Sequence, residues 1–182
     1  MAEGTFDLGN FLAEVQARLI TSDATPQQAS APPIEQERVM IFRLAGVHYA
    51  VSLENTAEVL RRPVITPVPG VLPWIAGVIN LHGDIVSVVD LNLFFGGAPG
   101  YFSGGADVTL LVMQAADQRI AMVVDGIEII YSYPTEEILS PLFKVQPTMV
   151  AYLRGVVQWG DRVIRLLDCE RLLTGPQMQQ FS

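Results

Sequence analysis

Several things are scarce in this chain, and each scarcity excludes something. There is one cysteine, Cys169, so no internal disulfide framework is expected. The histidines are two, His48 and His82, and their spacing to the cysteine matches no ligand motif. Zinc and other transition metals take three or four clustered ligands, so no metal is expected. Basic residues number eleven against nineteen acidic ones, for a net charge of −8, and Lys144 is the sole lysine. No basic run stands out, which argues against nucleic acid as a partner. Apolar runs stay well short of the roughly 20 residues that a membrane span needs. The first basic residue is Arg18 and no apolar stretch follows the start. Neither a secretory leader nor direct membrane insertion is expected, and a cytoplasmic location follows.

Chemistry-bearing constellations are equally sparse. Gly96-Gly97 and Gly104-Gly105 lack the Lys-Ser or Lys-Thr pair of a phosphate loop and read as a flexible connector. Asp90 and Asp168 each follow an apolar strand and suit the cap of a short helix better than an acid/base pair. Glu136 and Glu137 fall in a loop, and no Ser-His-Asp or Cys-His arrangement is present. The chain is not expected to be an enzyme or to carry a cofactor.

What is present is apolar patterning. Half of the 182 residues are apolar and 16% are charged, enough to bury a core without staples. Residues 1–22 place Phe6, Leu8, Phe11, Leu12, Val15 and Leu19 near one helical stripe. This amphipathic helix is marginal alone in water, and its apolar side can fold back on the body or dock on a partner. Residues 23–37 are rich in Pro, Gln and Ala and read as a linker.

From residue 38 the pattern turns to strand period. Strands are expected over RVMIFRLA, HYAVSL and Glu58 to Arg61, then a loop punctuated by Pro63, Pro67, Pro69 and Pro73. A hairpin with its turn at His82-Gly83 follows, and then a short helix over LNLFF. After the glycine-rich connector the series restarts: DVTLLVMQA, QRIAMVVD, GIEIIYSY, an irregular loop from Pro134 to Pro147, a second hairpin and the helix CERLL. The hairpins GVINLHGDIVSVVDL and GVVQWGDRVIRLLDC each run fourteen residues from glycine to aspartate, Gly77 to Asp90 and Gly155 to Asp168. Tyr49-Ala50-Val51 with Glu58 lines up with Ile120-Ala121-Met122 with Glu128. Strands apolar on both faces suit small closed barrels. The expected fold is therefore mainly all-β: two five-stranded barrels related by an internal repeat, about 38–95 and 107–174, with short helices and one seam between them.

These residues resemble the CheW coupling proteins of chemotaxis-type signalling, over residues 38 to about 174. The family typically reads G-V-x-N-L-R-G-x-I-V-P-V-x-D-L where Gly77 to Leu91 stand here. Phe42, Leu44, Tyr49-Ala50-Val51, Glu58-Val59-Leu60, Val124-Asp125, Gly155 and Leu166-Leu167-Asp168 fit in order. The resemblance implies two SH3-like barrels without catalytic activity. It also implies two partners, the regulatory domain of a CheA-type histidine kinase and the cytoplasmic tip of a chemoreceptor, at membrane-associated arrays. By analogy Thr56, Glu58, Val59, Leu60, Asn80, His82 and Gly83 match the family's partner-binding strand and turn. Two residues depart from the pattern: His82 replaces an arginine that commonly pairs with the glutamate matching Glu58, and Ser87 replaces a proline. Histidine lacks arginine's permanent charge and fork of donors, so a weaker, pH-sensitive Glu58–His82 contact is expected. The departures and the N-terminal helix fit equally an adaptor of a pilus, surface-sensing or array-positioning system.

Overall fold

The structure, a computed structural model, describes residues 35–98, 107–140 and 147–179. The expected helix and nearly all of the linker, including Phe6, Leu8, Phe11, Leu12, Val15 and Leu19, lie outside the described residues. The expected linker boundary at Glu37 falls late, because strand β1 already begins at Gln36. Apolar alternation starts only at Val39, so the polar first residues of the strand read as linker.

Among the described residues ten strands follow one another: β1 Gln36–Leu44, β2 Val47–Ser52, β3 Thr56–Arg61, β4 Ile75–Leu81, β5 Asp84–Val89, β6 Thr109–Ala115, β7 Gln118–Val124, β8 Gly126–Pro134, β9 Leu153–Trp159 and β10 Arg162–Leu167. Short helices cover Leu91–Phe94, Pro147–Val150, Cys169–Thr174 and Pro176–Gln179. Two-residue turns close the β1–β2, β4–β5 and β6–β7 hairpins. Their residues Ala45-Gly46, His82-Gly83 and Ala116-Asp117 all have positive φ, the left-handed geometry that matches strand twist.

The strands form two five-stranded mixed sheets. The first has the order β8-β1-β2-β10-β9 and the second β3-β6-β7-β5-β4. This corrects the expected division at 38–95 and 107–174, since neither sheet is one copy of the repeat. β2 pairs with β1 on one side and, in parallel, with β10 on the other. β7 is likewise flanked by β6 and, in parallel, by β5. Neither has an edge left for the strand that follows it. β3 therefore joins β6 and β8 joins β1, an exchange that is reciprocal.

Register also corrects the expected match of Glu58 with Glu128. Glu58 pairs with Val112 and Ile129 with Ile41, and Val112 and Ile41 sit opposite the matched Ala121 and Ala50. The counterpart of Glu58 is Ile129. An ungapped alignment already gives this match, since Glu58 follows Ala50 at the same distance as Ile129 follows Ala121; matching Glu58 with Glu128 needs a one-residue gap that the register does not bear out.

Two-sided apolar strands have a direct reason. Leu110, Val112, Ala121 and Val123 pack inside the second sheet, while Leu111, Met113, Met122 and Val124 face the seam between the sheets. Val39, Ile41 and Ile164 pack inside the first sheet, and Phe42, Leu44 and Leu167 face that same seam. The seam core takes residues from both sheets and from the helices Leu91–Phe94 and Cys169–Thr174.

The barrels of the sequence reading are open sheets here: no ladder joins the two edges of either order among the described residues. Side chains bridge instead. In the first sheet Arg154 of β9 donates two hydrogen bonds to Glu37 of β1, at 2.6 and 2.8 Å, and Tyr133 of β8 donates a third at 2.8 Å. Burial alone would raise the Glu37 carboxyl, but the Arg154 fork and the Tyr133 hydroxyl outweigh it and hold it below its ordinary 4.5.

Gly77 and Gly155, the matched hairpin glycines, share a second role. The proline loop crosses β4 through Thr66, whose N–H and C=O both bond to Val78 at 2.8 and 2.9 Å. Leu139 does the same to Val156, at 2.9 Å in both directions. A Cβ on Gly77 would collide with the Thr66 carbonyl, and one on Gly155 would lie 2.6 Å from the Leu139 carbonyl. Asp90 and Asp168 are helix caps, as the sequence suggests, accepting from Leu93 N at 3.1 Å and from Arg171 N at 2.9 Å. Asp168 Oδ2 also meets Arg171 Nε at 3.2 Å, whereas Asp90 Oδ2 is buried without a partner, and burial raises that carboxyl.

Two outcomes are expected. Gly77→Ala and Gly155→Ala should each cost about 2 kcal/mol or more, because a backbone crossing must move, while Gly160→Ala, in open space at φ 60°, should cost about 1 kcal/mol; urea melts check this. Because the folded-state value of Glu37 is lowered, its contribution is complete above the unfolded value near 4.5 and is lost as pH falls below it. Thermal melts from neutral to acid pH should show wild type losing more stability below that value than Glu37→Gln.

Candidate functional site

The partner-binding residues expected from the sequence fall on one end of the second sheet. β3 is one edge of that sheet and β4 the other, yet their side chains meet. His82 Nε2 lies 3.0 Å from Glu58 Oε2, so the expected contact is present. Two local features aim His82. Its φ of 54° starts the two-residue turn, and Asn80 Oδ1 accepts from Gly83 N at 2.9 Å, holding the turn from below. The pair is open to water, with the His82 side chain 76% and the Glu58 side chain 38% exposed.

The other expected residues surround this pair. Thr56 opens β3 and bonds back to Ser52 O at 3.3 Å, which fixes the strand's entry. Val59 and Leu60 are half-buried on opposite faces, Val59 against the seam core and Leu60 against the core of the second sheet. Neither points freely outward. Asn80, His82 and Gly83 are exposed at the hairpin tip. Thus Glu58, Asn80, His82 and Gly83 converge on one surface, while Val59 and Leu60 pack into the two cores on either side of β3.

Sequence reasoning missed a second feature. Where the seam meets the outer face of the second sheet, a groove of about 660 Å³ is lined by Trp74, Ile75, Val78, Ile85, Ile120 and Met178 among others. Ile85 is 69% exposed there. The signal in the sequence was Ile85 itself, an apolar residue directly after the Asp84 that ends the turn. Its exposure depends on the neighbouring helix and loop, which no local pattern reveals.

Neither surface has the makings of catalysis. Asp90 and Asp168 cap separate helices, and the Cys169 thiol is buried beside Met113 Sδ at 3.6 Å. Burial pushes that thiol up to about 12, which leaves it without nucleophilic character at neutral pH. No group of three or more metal-ligating side chains occurs among the described residues. Nor is any helix among them long and apolar enough to cross a membrane.

Comparison with known proteins agrees with this geometry. Residues 38–177 match the CheW-like domain family. The chain is 29% identical over 156 residues to the chemotaxis protein CheW of Klebsiella aerogenes, covering 85% of this chain and 92% of that one. It is 29% identical over 151 residues to the protein FrzA of Myxococcus xanthus, covering 81% and 92%. It is 26% identical over 133 residues to the protein PilI of Pseudomonas aeruginosa, covering 70% and 74%. The crystal structure of the scaffolding protein TtCheW from Thermoanaerobacter tengcongensis shares the fold, with a TM-score of 0.67 at 22% identity over 78% of this chain and 95% of that one. The chain belongs to the CheW-like domain family and is a chemotaxis-type coupling adaptor, not an enzyme.

Proposed function

We propose that this protein couples chemoreceptors to a CheA-type histidine kinase, holding both at fixed geometry in the cytoplasm beneath a receptor array. In this reading the two sheets correspond to the family's SH3-like barrels. The end of the second sheet, with Glu58, Asn80, His82 and Gly83, takes the homologous regulatory domain of the kinase, and the apolar rim of the seam takes the receptor's helical tip. The observation that carries the reading is the Glu58–His82 contact at 3.0 Å, because it joins β3 to the exposed turn after β4 on a surface open to water. Such an exposed pair contributes at most about 1 kcal/mol to the fold. Its value lies in orientation and in complementarity to a partner. Individual contacts in such an assembly can be modest, since linked binding events raise effective concentration.

A second reading draws on the PilI and FrzA relatives, whose identities match those of the chemotaxis proteins. There the same scaffold serves a pilus, surface-sensing or array-positioning system, and residues 1–34 dock a non-receptor partner. Deleting those residues leaves β1 intact. Lost localisation with kinase and receptor binding retained favours this second reading.

The first reading is tested by charge reversal. Glu58→Lys and His82→Glu should each abolish pull-down of the kinase regulatory domain, leave the receptor tip bound and leave the melting temperature within about a degree or two, as exposed positions allow. Kinase binding at wild-type strength by both variants would sink the assignment.

A further inference from the structure

Most arginines of the described residues have a carboxylate partner: Arg43, Arg62, Arg119, Arg154, Arg162 and Arg171 each lie within 4.0 Å of one. Arg165 of β10 has none among the described residues, although it is half-buried. Its guanidinium lies over the Tyr49 ring, 5.5 Å from the centroid, and donates to the Tyr49 hydroxyl at 3.0 Å. Its other partner is a sulfur, Met149 Sδ, at 3.7 Å. The Tyr49 hydroxyl donates to the same sulfur at 3.5 Å. Burial raises that hydroxyl above its ordinary 10, so it keeps the proton that it gives.

Two good donors thus converge on one weak acceptor, a thioether. Donors settle near about 2.9 Å from an oxygen, well inside both sulfur contacts. An oxygen carried by the sulfur on its donor side would fall between the guanidinium and the hydroxyl. No other methionine of the described residues is placed this way. Met113 receives only the Cys169 thiol, a weak donor, and no hydrogen bond reaches Met40, Met122 or Met178. An oxygen added to the fully buried Met122 would be out of water and unpaired, which is costly. Met149 is 8% exposed on a four-residue helix whose next residue, Val150, is 43% exposed, so a small solute reaches its sulfur with little movement of the chain.

We infer that Met149 is an oxidation site: a hydroperoxide converts its thioether to the sulfoxide, whose oxygen takes Arg165 and Tyr49 as donors and pins the helix Pro147–Val150 to β10 and β2. The sulfur lone pair attacks one peroxide oxygen, and the S–O bond forms as the O–O bond breaks. The proton of the transferred oxygen passes to the departing one, which leaves as water or an alcohol. Sulfur gives up two electrons and the peroxide takes them. The step is reversible by sulfoxide reductases, so it can act as a switch. Its effect reaches the interior, because Tyr49 and Met149 both belong to the seam core. The same helix is tied on its other side, where the Thr148 hydroxyl donates to Phe95 O at 3.2 Å. Oxidation therefore braces the helix between the two halves of the repeat. The inference does not depend on which partners the adaptor couples.

The test treats the folded full-length protein with hydrogen peroxide and maps oxygen gain at each methionine by peptide mass spectrometry. Met149 should be oxidised, and the oxidised protein should melt no lower than the reduced one. Both donors lie on one side of the sulfur, so one sulfoxide epimer should dominate. Each epimer has its own reductase, so one of the two enzymes should clear the product and the other should leave it. In Arg165→Leu the oxygen loses its main donor. Both epimers should then form, and oxidation should lower the melting temperature by about 3 °C or more. Tyr49→Phe removes the second donor at little cost in shape, and its relaxed epimer ratio keeps the test decisive if Arg165→Leu does not fold. Met149 left unoxidised in the folded wild type overturns the site. Equal epimers in wild type, or oxidised Arg165→Leu melting no lower than its reduced form, overturns the role of the two donors.

Discussion

The architecture depends on two short parallel ladders. β2 meets β10 at Tyr49 and Ala50, and β7 meets β5 from Ile120 to Met122. Each ladder lies at the centre of a sheet and joins strands from different copies of the repeat. Parallel partners cannot be linked by a tight turn, and a long stretch of chain must pass between them. Here that stretch carries other strands of the fold, so the copies are woven through each other. With β2 and β7 flanked on both sides, β3 and β8 can pair only across the repeat. The seam core follows, because every central strand then has an inner face toward its own sheet and an outer face toward the other.

The two sheets spend charge differently across their edges. Glu37 keeps 15% of its side-chain surface, is held bidentately by Arg154 and takes a third hydrogen bond from Tyr133. Removing one member of a pair that is largely out of water strands the other, a large cost. His82 and Glu58 link the two edges of the second sheet with side chains 76% and 38% exposed. Salt screens such a pair, and a competing charge from another molecule can replace either half. The first sheet thus has a structural lock, and the second has a contact between its edges that stays open to water.

Much of this was legible in the sequence, for identifiable reasons. Strand period, turn residues at His82-Gly83 and Asp caps are local, so element positions and the duplicated hairpin could be read directly. The Glu58–His82 contact was readable because the family motif supplied it. Pairing partners were not readable. Alternation says which face of β3 is apolar, but not that its ladder partner is β6. Matching Glu58 with Glu128 paired like residues across a one-residue gap, and only the ladder register shows that Ile129 holds the equivalent place. Glu37 read as linker because its partners, Arg154 and Tyr133, are about a hundred positions away in the chain. The open groove was invisible for the same reason, since Met178 and Trp74 come to it from distant segments.

The strand exchange also orders the protein's birth on the ribosome. Synthesis runs from the N-terminus, so every strand of the second sheet has emerged once Val124 is out, while the first sheet lacks β8, β9 and β10. The β1–β2 hairpin, made earliest, must wait with its apolar Val39, Ile41 and Ala50 uncovered until Ile164 and Leu166 arrive. The strands translated first are therefore the last to find their shelter, and theirs is the hairpin that nascent-chain chaperones would be called on to shield.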